Sequence, residues 1–399
     1  MRSNYFDTLS SSLKDYKRAI PFLLIDLDRL DKNISVLQRS LKQGAQFRLV
    51  VKSLPSPELI KYIMDYADTK HLMVFHQPFL SDLSRWCDST VDILMGKPMP
   101  IRTASYYYET LDNKNGFDPS KQLQWLVDTT ERMEEYIDLA KKIKHKIRVN
   151  LEIDIGLRRG GFADIPQLKS ALTLLRNHPN ELQLSGLMGY DPHVVKLPKW
   201  VMSKEKAFQK ANETYKKYIA VLKDDFSDLW HENLCFNGAG SPTISMHQTA
   251  NSVLNDISAG SCLVKPTNFD IPSLAAYDPA CFIATPVLKK MEGTNIPGLE
   301  KFKSLLNRLD RKHRNSYFIY GGLWMADYCY PPGLSGNKLF GSSTNQSMVN
   351  STGEMDLNPG DFVFLRPKQS EFVLLQFGQM LAIREGKIQE EWTLLNQTI

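Results

Sequence analysis

Apolar runs recur along the first two thirds of the chain, each separated from the next by a stretch with helical spacing. The runs read FRLVVK (47–52), HLMVF (71–75), DILMG (92–96), QLQWLVD (122–128), IRVNLEID (147–154), QLSGLMGY (183–190), ENLCFNGAG (232–240) and DISAGSCLV (256–264). Most are near-continuous rather than alternating, the pattern of strands covered on both faces. The stretches between them are amphipathic. PSPELIKYIMDYA opens with Ser56, Pro57 and Glu58, a good helix start, and then sets Leu59, Ile60, Ile63 and Met64 on one side. TTERMEEYIDLAKKI carries acids early and lysines late, which complements the helix dipole. Eight such units predict an α/β fold, a closed TIM-like (β/α)8 barrel. A doubly wound open sheet is the rival architecture.

The texture changes after about residue 270. CFIATPVLKKM, SYFIYGG, GDFVFLRP, EFVLLQF and MLAIREGKI are short, partly alternating and bounded by Gly, Pro and Asn, with Asn358-Pro359-Gly360-Asp361 as a turn. They predict a smaller, mostly antiparallel β domain over residues 271–399, after a barrel domain over 21–270. The early run PFLLIDLD (21–28) is a strand able to pair with that second domain, so residues 1–28 are expected to pack there. The Ser, Thr, Asn and Gly-rich stretch 341–353 reads as an exposed loop.

Composition narrows the function classes. Apolar residues make up 42% and charged residues 23%, which is a globular rather than a disordered balance. A net charge of +5, spread along the chain, does not argue for nucleic acid. The densest basic run, 141–148, reads as a solvated helix end entering a strand. The cysteines (Cys87, Cys235, Cys262, Cys281, Cys329) are five, widely spaced and without a CxxC pair, which suggests neither a disulfide framework nor a thiolate zinc site. No run approaches the length of a membrane span, and the N-terminus has no apolar signal core, so a cytoplasmic protein is expected.

A barrel places function at the C-terminal ends of its strands. Lys52 ends the first run there, where an apolar wall can depress its pKa as Schiff-base chemistry requires. Asn237-Gly238-Ala239-Gly240-Ser241-Pro242-Thr243 and Ala259-Gly260-Ser261 fall at the last two strand ends, the usual phosphate loops of barrels. Asp154-Ile155-Gly156-Leu157-Arg158-Arg159-Gly160-Gly161-Phe162 brings arginines to the mouth, able to fix a carboxylate or a cofactor oxygen. Tyr190 and His193 close the next strand as candidate acid/base groups.

The order LVVKSLPSPELI, EIDIGLRRGGF, GLMGYDPH, NGAGSPT, AGSCLV and a final β domain resembles the fold-type III pyridoxal-phosphate enzymes. Within them it is most similar to the D-threonine aldolase and D-serine dehydratase branch of the alanine racemase superfamily. The resemblance covers about residues 20–395. It implies that Lys52 carries pyridoxal 5'-phosphate as a Schiff base and moves the substrate α-proton, that Arg159 contacts the cofactor ring, and that Tyr190 lies near ring and substrate. Ser241, Thr243, Gly260 and Ser261 would hold the phosphate. A homodimer, in which the β domain of one subunit helps close the other's barrel mouth, is also implied.

Two positions depart from that pattern. Relatives of this branch carry a His-x-Cys or His-x-Asp metal pair just after a proline; here the matching stretch is Arg366-Pro367-Lys368-Gln369-Ser370-Glu371. Gln369 and Glu371 are weak candidates for a divalent metal, because Gln is a poor transition-metal ligand while Glu371 suits a harder cation. The other departure is Cys262, where relatives often have a tyrosine near the pyridine nitrogen. The expected activity is therefore that of a lyase, an aldolase or deaminase of small D-3-hydroxy amino acids. Lys52 and Tyr190 would be catalytic, with Glu371 standing in for the metal pair. The rival readings are a racemase with a second tyrosine base (Tyr328 or Tyr330), a non-catalytic pyridoxal-phosphate carrier and a purely structural protein.

Overall fold

A computed structural model gives the fold, and describes residues 2–112, 115–198, 200–248, 251–292, 315–337, 340–351 and 355–396. Its contacts divide the chain into two compact units. One holds Ile34–Cys262, Ile271–Ala276 and Leu395–Ile399; the other holds Met1–Asn33, Leu263–Asp270 and Tyr277–Leu394.

The eight apolar runs form eight parallel strands that close on themselves. After β1 (Phe22–Asp26), which belongs to the other unit, these are β2 (Gln46–Val50), β3 (His71–Val74), β4 (Asp92–Met95), β5 (Leu123–Val127), β6 (Ile147–Glu152), β7 (Leu182–Gly189), β8 (Cys235–Gly238) and β9 (Asp256–Ala259), in that order around the barrel. β9 pairs with β2, Leu49 opposite Ala259, so first and last strands are neighbours. The helix Pro57–Ala67 begins as its sequence predicts, with the Ser56 hydroxyl accepting the Leu59 amide and Pro57 in the first turn. The basic run is the end of helix Thr130–Ile143, where Lys144 adopts a left-handed cap before β6.

Side chains two apart on a strand share a face, so the barrel interior is built in layers. The lowest is polar. Arg48, fully buried, gives Nε and Nη2 to the two carboxylate oxygens of Asp256, both at 2.8 Å, and Nη2 also reaches Asp92 Oδ1 at 2.8 Å. Gln124, Asn150, Asn237 and Ser258 extend the network. Two residues further along β2, β3, β4, β5 and β7 stand Val50, Met73, Leu94, Leu126 and Met188, packed as one apolar cluster. Two further again come Lys52, Phe75, Gly96, Asp128 and Tyr190, at the mouth.

In the second unit nine strands form one sheet among the described residues. β10 (Cys281–Glu292), β11 (Asn315–Tyr320), β12 (Ala326–Tyr330), β13 (Leu334–Gly336), β14 (Gln346–Ser351), β15 (Phe362–Pro367), β16 (Gln379–Arg384) and β17 (Lys387–Thr393) join β1. All pairings are antiparallel except that of β1 with β16. The early run thus pairs within the sheet, and the helix Arg2–Lys14 packs Phe6, Leu9 and Leu13 onto the same apolar face.

Two expectations for this unit are corrected. EFVLLQF is not a strand: Ser370–Leu374 is a short helix that buries Val373 and Leu374 and leaves Phe372 outside. A four-residue apolar run fits either period, and the Pro367 that ends β15 interrupts the ladder before it. The stretch from residue 341 is not wholly an exposed loop, because Gln346–Ser351 is a buried strand (352 and 353 lie outside the described residues). Its polar side chains satisfy one another inside the sheet: Asn350 Nδ2 donates to Ser316 Oγ at 2.9 Å and its Oδ1 accepts from Asn337 at 2.8 Å.

Candidate active site

The closure of the barrel gathers the C-terminal ends of β6, β7, β8, β9 and β2 side by side. Directly after β2 the chain makes a short 3-10 turn, Val51–Ser53, in which Lys52 leaves the strand. Its ammonium lies over the Phe75 ring, 4.4 Å from the centroid. Phe75 has that place because residue 96 is glycine: a Cβ there would lie 2.3 Å from Phe75 Cζ. Gly96→Ala is accordingly expected to displace the ring, cost about 1–3 kcal/mol as an overpacked site, and slow labelling of Lys52 by an amine-selective reagent. Thermal melting and timed peptide mapping check both.

The neighbouring turn is Gly260-Ser261 at the end of β9. Gly260 sits so close to the Lys52 turn that an added Cβ would be 2.7 Å from Val50 O. Ser53 and Ser261 share a hydrogen bond at 2.9 Å, both buried. One strand further on, Ser241 Oγ accepts the amides of Cys262 at 3.0 Å and Gly260 at 3.4 Å. A hydroxyl that accepts two amides keeps its own hydrogen to donate. Thr243 differs, since its hydroxyl donates to Asp191 Oδ1 at 2.8 Å. Cys262 is buried beside Ser241 through its amide.

Tyr190, after β7, covers this cradle: a Cβ at Gly240 would stand 3.0 Å from Tyr190 Cε2. The Arg159 guanidinium lies over the Tyr190 ring, 5.2 Å from its centroid. The loop that delivers Arg159 is shaped by its own sequence. Asp154 Oδ1 accepts the amides of Gly156 and Arg158 at 2.9 and 3.0 Å, and Phe162 bonds back to Glu152 across the loop. Gly161, at φ +87°, has only 2.7 Å between an added Cβ and Glu152 O, so no other residue fits. Burial lifts the Glu152 carboxyl above the usual carboxylate range against the pull of Arg159, while burial lowers His193 against the pull of Asp191 and Asp154.

Of the residues singled out by sequence, Lys52, Arg159, Tyr190, Ser241, Thr243, Gly260 and Ser261 all lie at the ends of adjoining barrel strands. Gln369 and Glu371 belong to the sheet unit, where Gln369 is exposed at the start of the short helix and Glu371 half-buried. No group of three or more His, Cys, Asp and Glu able to hold a metal occurs among the described residues. Sequence reasoning missed Phe75, Ser53, Asp191 and His247. Asp191 was within the quoted GYDPH, but nothing in its spacing distinguishes it from an ordinary turn acid.

Residues 25–267, well over half of the chain, match the family of the alanine racemase N-terminal domain. The chain belongs to that family. Enzymes of the alanine racemase family depend on pyridoxal phosphate, and an amine set against a hydroxyl-lined glycine cradle fits that group: Lys52 for its aldehyde, Ser241 and Ser261 for its phosphate. Solved structures share the family fold. D-threonine aldolase from Filomicrobium marinum is 15% identical, with 96% of this chain and 98% of that one covered at a TM-score of 0.72. D-threo-3-hydroxyaspartate dehydratase from Delftia sp. HT23 is 17% identical, with 96% and 99% covered at 0.72. Alanine racemase from Bacillus anthracis is 15% identical, with 95% and 98% covered at 0.70. No curated protein matches the chain in sequence. No helix among the described residues is long and apolar enough to cross a membrane.

Proposed function

We propose that this alanine-racemase-family chain is a pyridoxal-phosphate-dependent lyase acting on small D-3-hydroxy amino acids, by aldol cleavage or by dehydration with loss of ammonia. The observation that carries the reading is the joining of the Lys52 turn to the cradle through Ser53 and Ser261, at 2.9 Å. Lys52 would hold the cofactor through Nζ, Ser241, Gly260 and Ser261 its phosphate end, and Arg159 and Tyr190 its ring. When bound, pyridoxal phosphate supplies the electron sink for breaking one bond at the substrate Cα.

The chain's own groups decide which bond breaks. Lys52 Nζ takes the α-proton and returns it. The apolar layer of Val50, Met73, Leu94, Leu126 and Met188 excludes water from below, which strengthens charge interactions at the mouth. Glu371 is the proposed polar group for the β-hydroxyl in place of a metal pair. Cleavage of Cα–Cβ yields glycine and an aldehyde; loss of the α-proton and of the hydroxyl as water, followed by hydrolysis, yields a keto acid and ammonia. Racemisation needs a second base, and the tyrosines considered for it are ill suited. The Tyr330 hydroxyl donates to Asp7 at 2.6 Å with its ring stacked on Phe6, and burial pushes Tyr328 up to about 12.

Incubation of the purified chain and pyridoxal phosphate with D-threonine, D-serine and D-alanine, followed by chiral product analysis, tests this directly. Glycine with an aldehyde, or a keto acid with ammonia, is expected; L-enantiomers alone would overturn the lyase assignment. A chelator should leave turnover unchanged, and inhibition reversed by a divalent cation would restore the metal. A homodimer is part of the same proposal, checked by sedimentation equilibrium.

A further inference from the structure

A buried acid lies directly behind the cradle and takes no part in the chemistry above. Asp191 follows Tyr190 in the chain and is 1% exposed. Its Oδ1 accepts the Thr243 hydroxyl at 2.8 Å, and its Oδ2 is 2.7 Å from His247 Nε2. His247 Nδ1 pairs with Ser252 Oγ at 2.8 Å, and the Phe208 ring stands edge-on to the imidazole at 4.8 Å. Thr243, His247 and Ser252 are all buried. A carboxylate shut away from water is held only by the partners that satisfy it, so these bonds are stiff constraints rather than surface decoration.

Their effect falls on the turn 240–243. The Thr243 hydroxyl hydrogen is spent on Asp191 and its amide on Gly240 O at 2.9 Å, so neither is directed to an anion. Two residues earlier, Ser241 accepts two amides from the Gly260 turn and retains its hydrogen. We propose that Asp191, braced by His247, is the positioning residue of the phosphate cradle. By anchoring Thr243 it fixes the turn that presents Ser241, and it ties that turn to Tyr190, its neighbour in the chain. Thr243 is thereby a strut and not a phosphate ligand. The inference rests on reading the cradle as the pyridoxal-phosphate site.

The test compares two aldehydes that differ only in the phosphate. The full-length chain and its D191N, T243V, T243S and D191N/T243V variants are titrated with pyridoxal phosphate and with pyridoxal, following tryptophan fluorescence, with thermal melts alongside. D191N and T243V should each weaken pyridoxal-phosphate binding about ten- to a hundredfold, the scale of a lost hydrogen bond to a charged group. T243S should bind as the unsubstituted chain does, the double variant no worse than D191N, and pyridoxal equally to all. Losses that multiply in the double variant would make the two residues independent ligands and overturn the strut. Equal losses for both aldehydes, or none in D191N, would overturn it too. Should D191N not fold, the T243V and T243S pair decides alone: a T243V loss confined to pyridoxal phosphate and absent in T243S upholds the strut, and any other pattern overturns it. An unsubstituted chain that binds neither aldehyde instead removes the reading of the cradle itself.

Discussion

Lys52→Arg is expected to abolish covalent capture of pyridoxal phosphate and to lower turnover at least about a thousandfold. Arginine keeps the positive charge over the Phe75 ring, 4.4 Å from Nζ in the native chain, but its guanidinium does not lose a proton at physiological pH. It can neither form the carbon–nitrogen bond nor carry the α-proton. Stability should change by less than about 1 kcal/mol, because the cation–ring contact survives the exchange. Borohydride reduction and peptide mapping provide the check. The native chain should retain the cofactor on the peptide containing Lys52 and the variant on none; a label found on another lysine in the native chain would displace Lys52 from its role.

Asp256→Asn should be the most destabilising single change in the barrel, by about 3–5 kcal/mol. It removes the carboxylate that accepts two hydrogen bonds from fully buried Arg48 and leaves that cation Asp92 as its carboxylate partner. Replacing both partners, as Arg48→Met with Asp256→Leu, should recover much of the loss, because the buried pair's charges are gone and Asp92 keeps Arg148 at 3.0 Å. Equilibrium urea unfolding, followed by a signal from the buried Trp125 of β5, measures both. The pair also sets a pH dependence. Burial raises the Asp256 carboxyl, but Arg48 and His71 together outweigh it and hold the group well below the usual carboxylate range. A depressed folded value means stability that is full above the ordinary carboxylate pKa of about 4 and lost as pH falls below it. Asp256→Asn should therefore flatten the acid limb of the stability profile.

The barrel was legible because strands covered on both faces make most of its apolar runs near-continuous, and because Ser56 and the early acids and late lysines of Thr130–Ile143 mark helices chemically. Arg48 was hidden for the same reason: FRLVVK reads as an apolar run, and only barrel closure brings Asp92 and Asp256 against its side chain. The place of Lys52 and of the Ser241 and Gly260 turns at strand ends was legible because the apolar runs stop where they stand. Asp191, Thr243 and His247 meet only through the packing of two loops, and Thr243, read as a phosphate ligand, carries no mark in sequence of the carboxylate behind it. In the sheet, Gln346–Ser351 looked like a loop because it is rich in polar residues and asparagine is depleted in strands, while its partners on β11 lie 26 to 36 residues away.

The layered interior has a consequence for isotope experiments. Val50, Met73, Leu94, Leu126 and Met188 set an apolar cluster between the charged floor and the mouth, so exchange with Lys52 is expected to run through the mouth. On the proposed role of Lys52, deuterium reaching the substrate Cα would come from solvent on the mouth side. Washout of label should then follow the mouth route alone, and a hydroxyl placed in the cluster by Met188→Ser should add a second route for exchange from beneath.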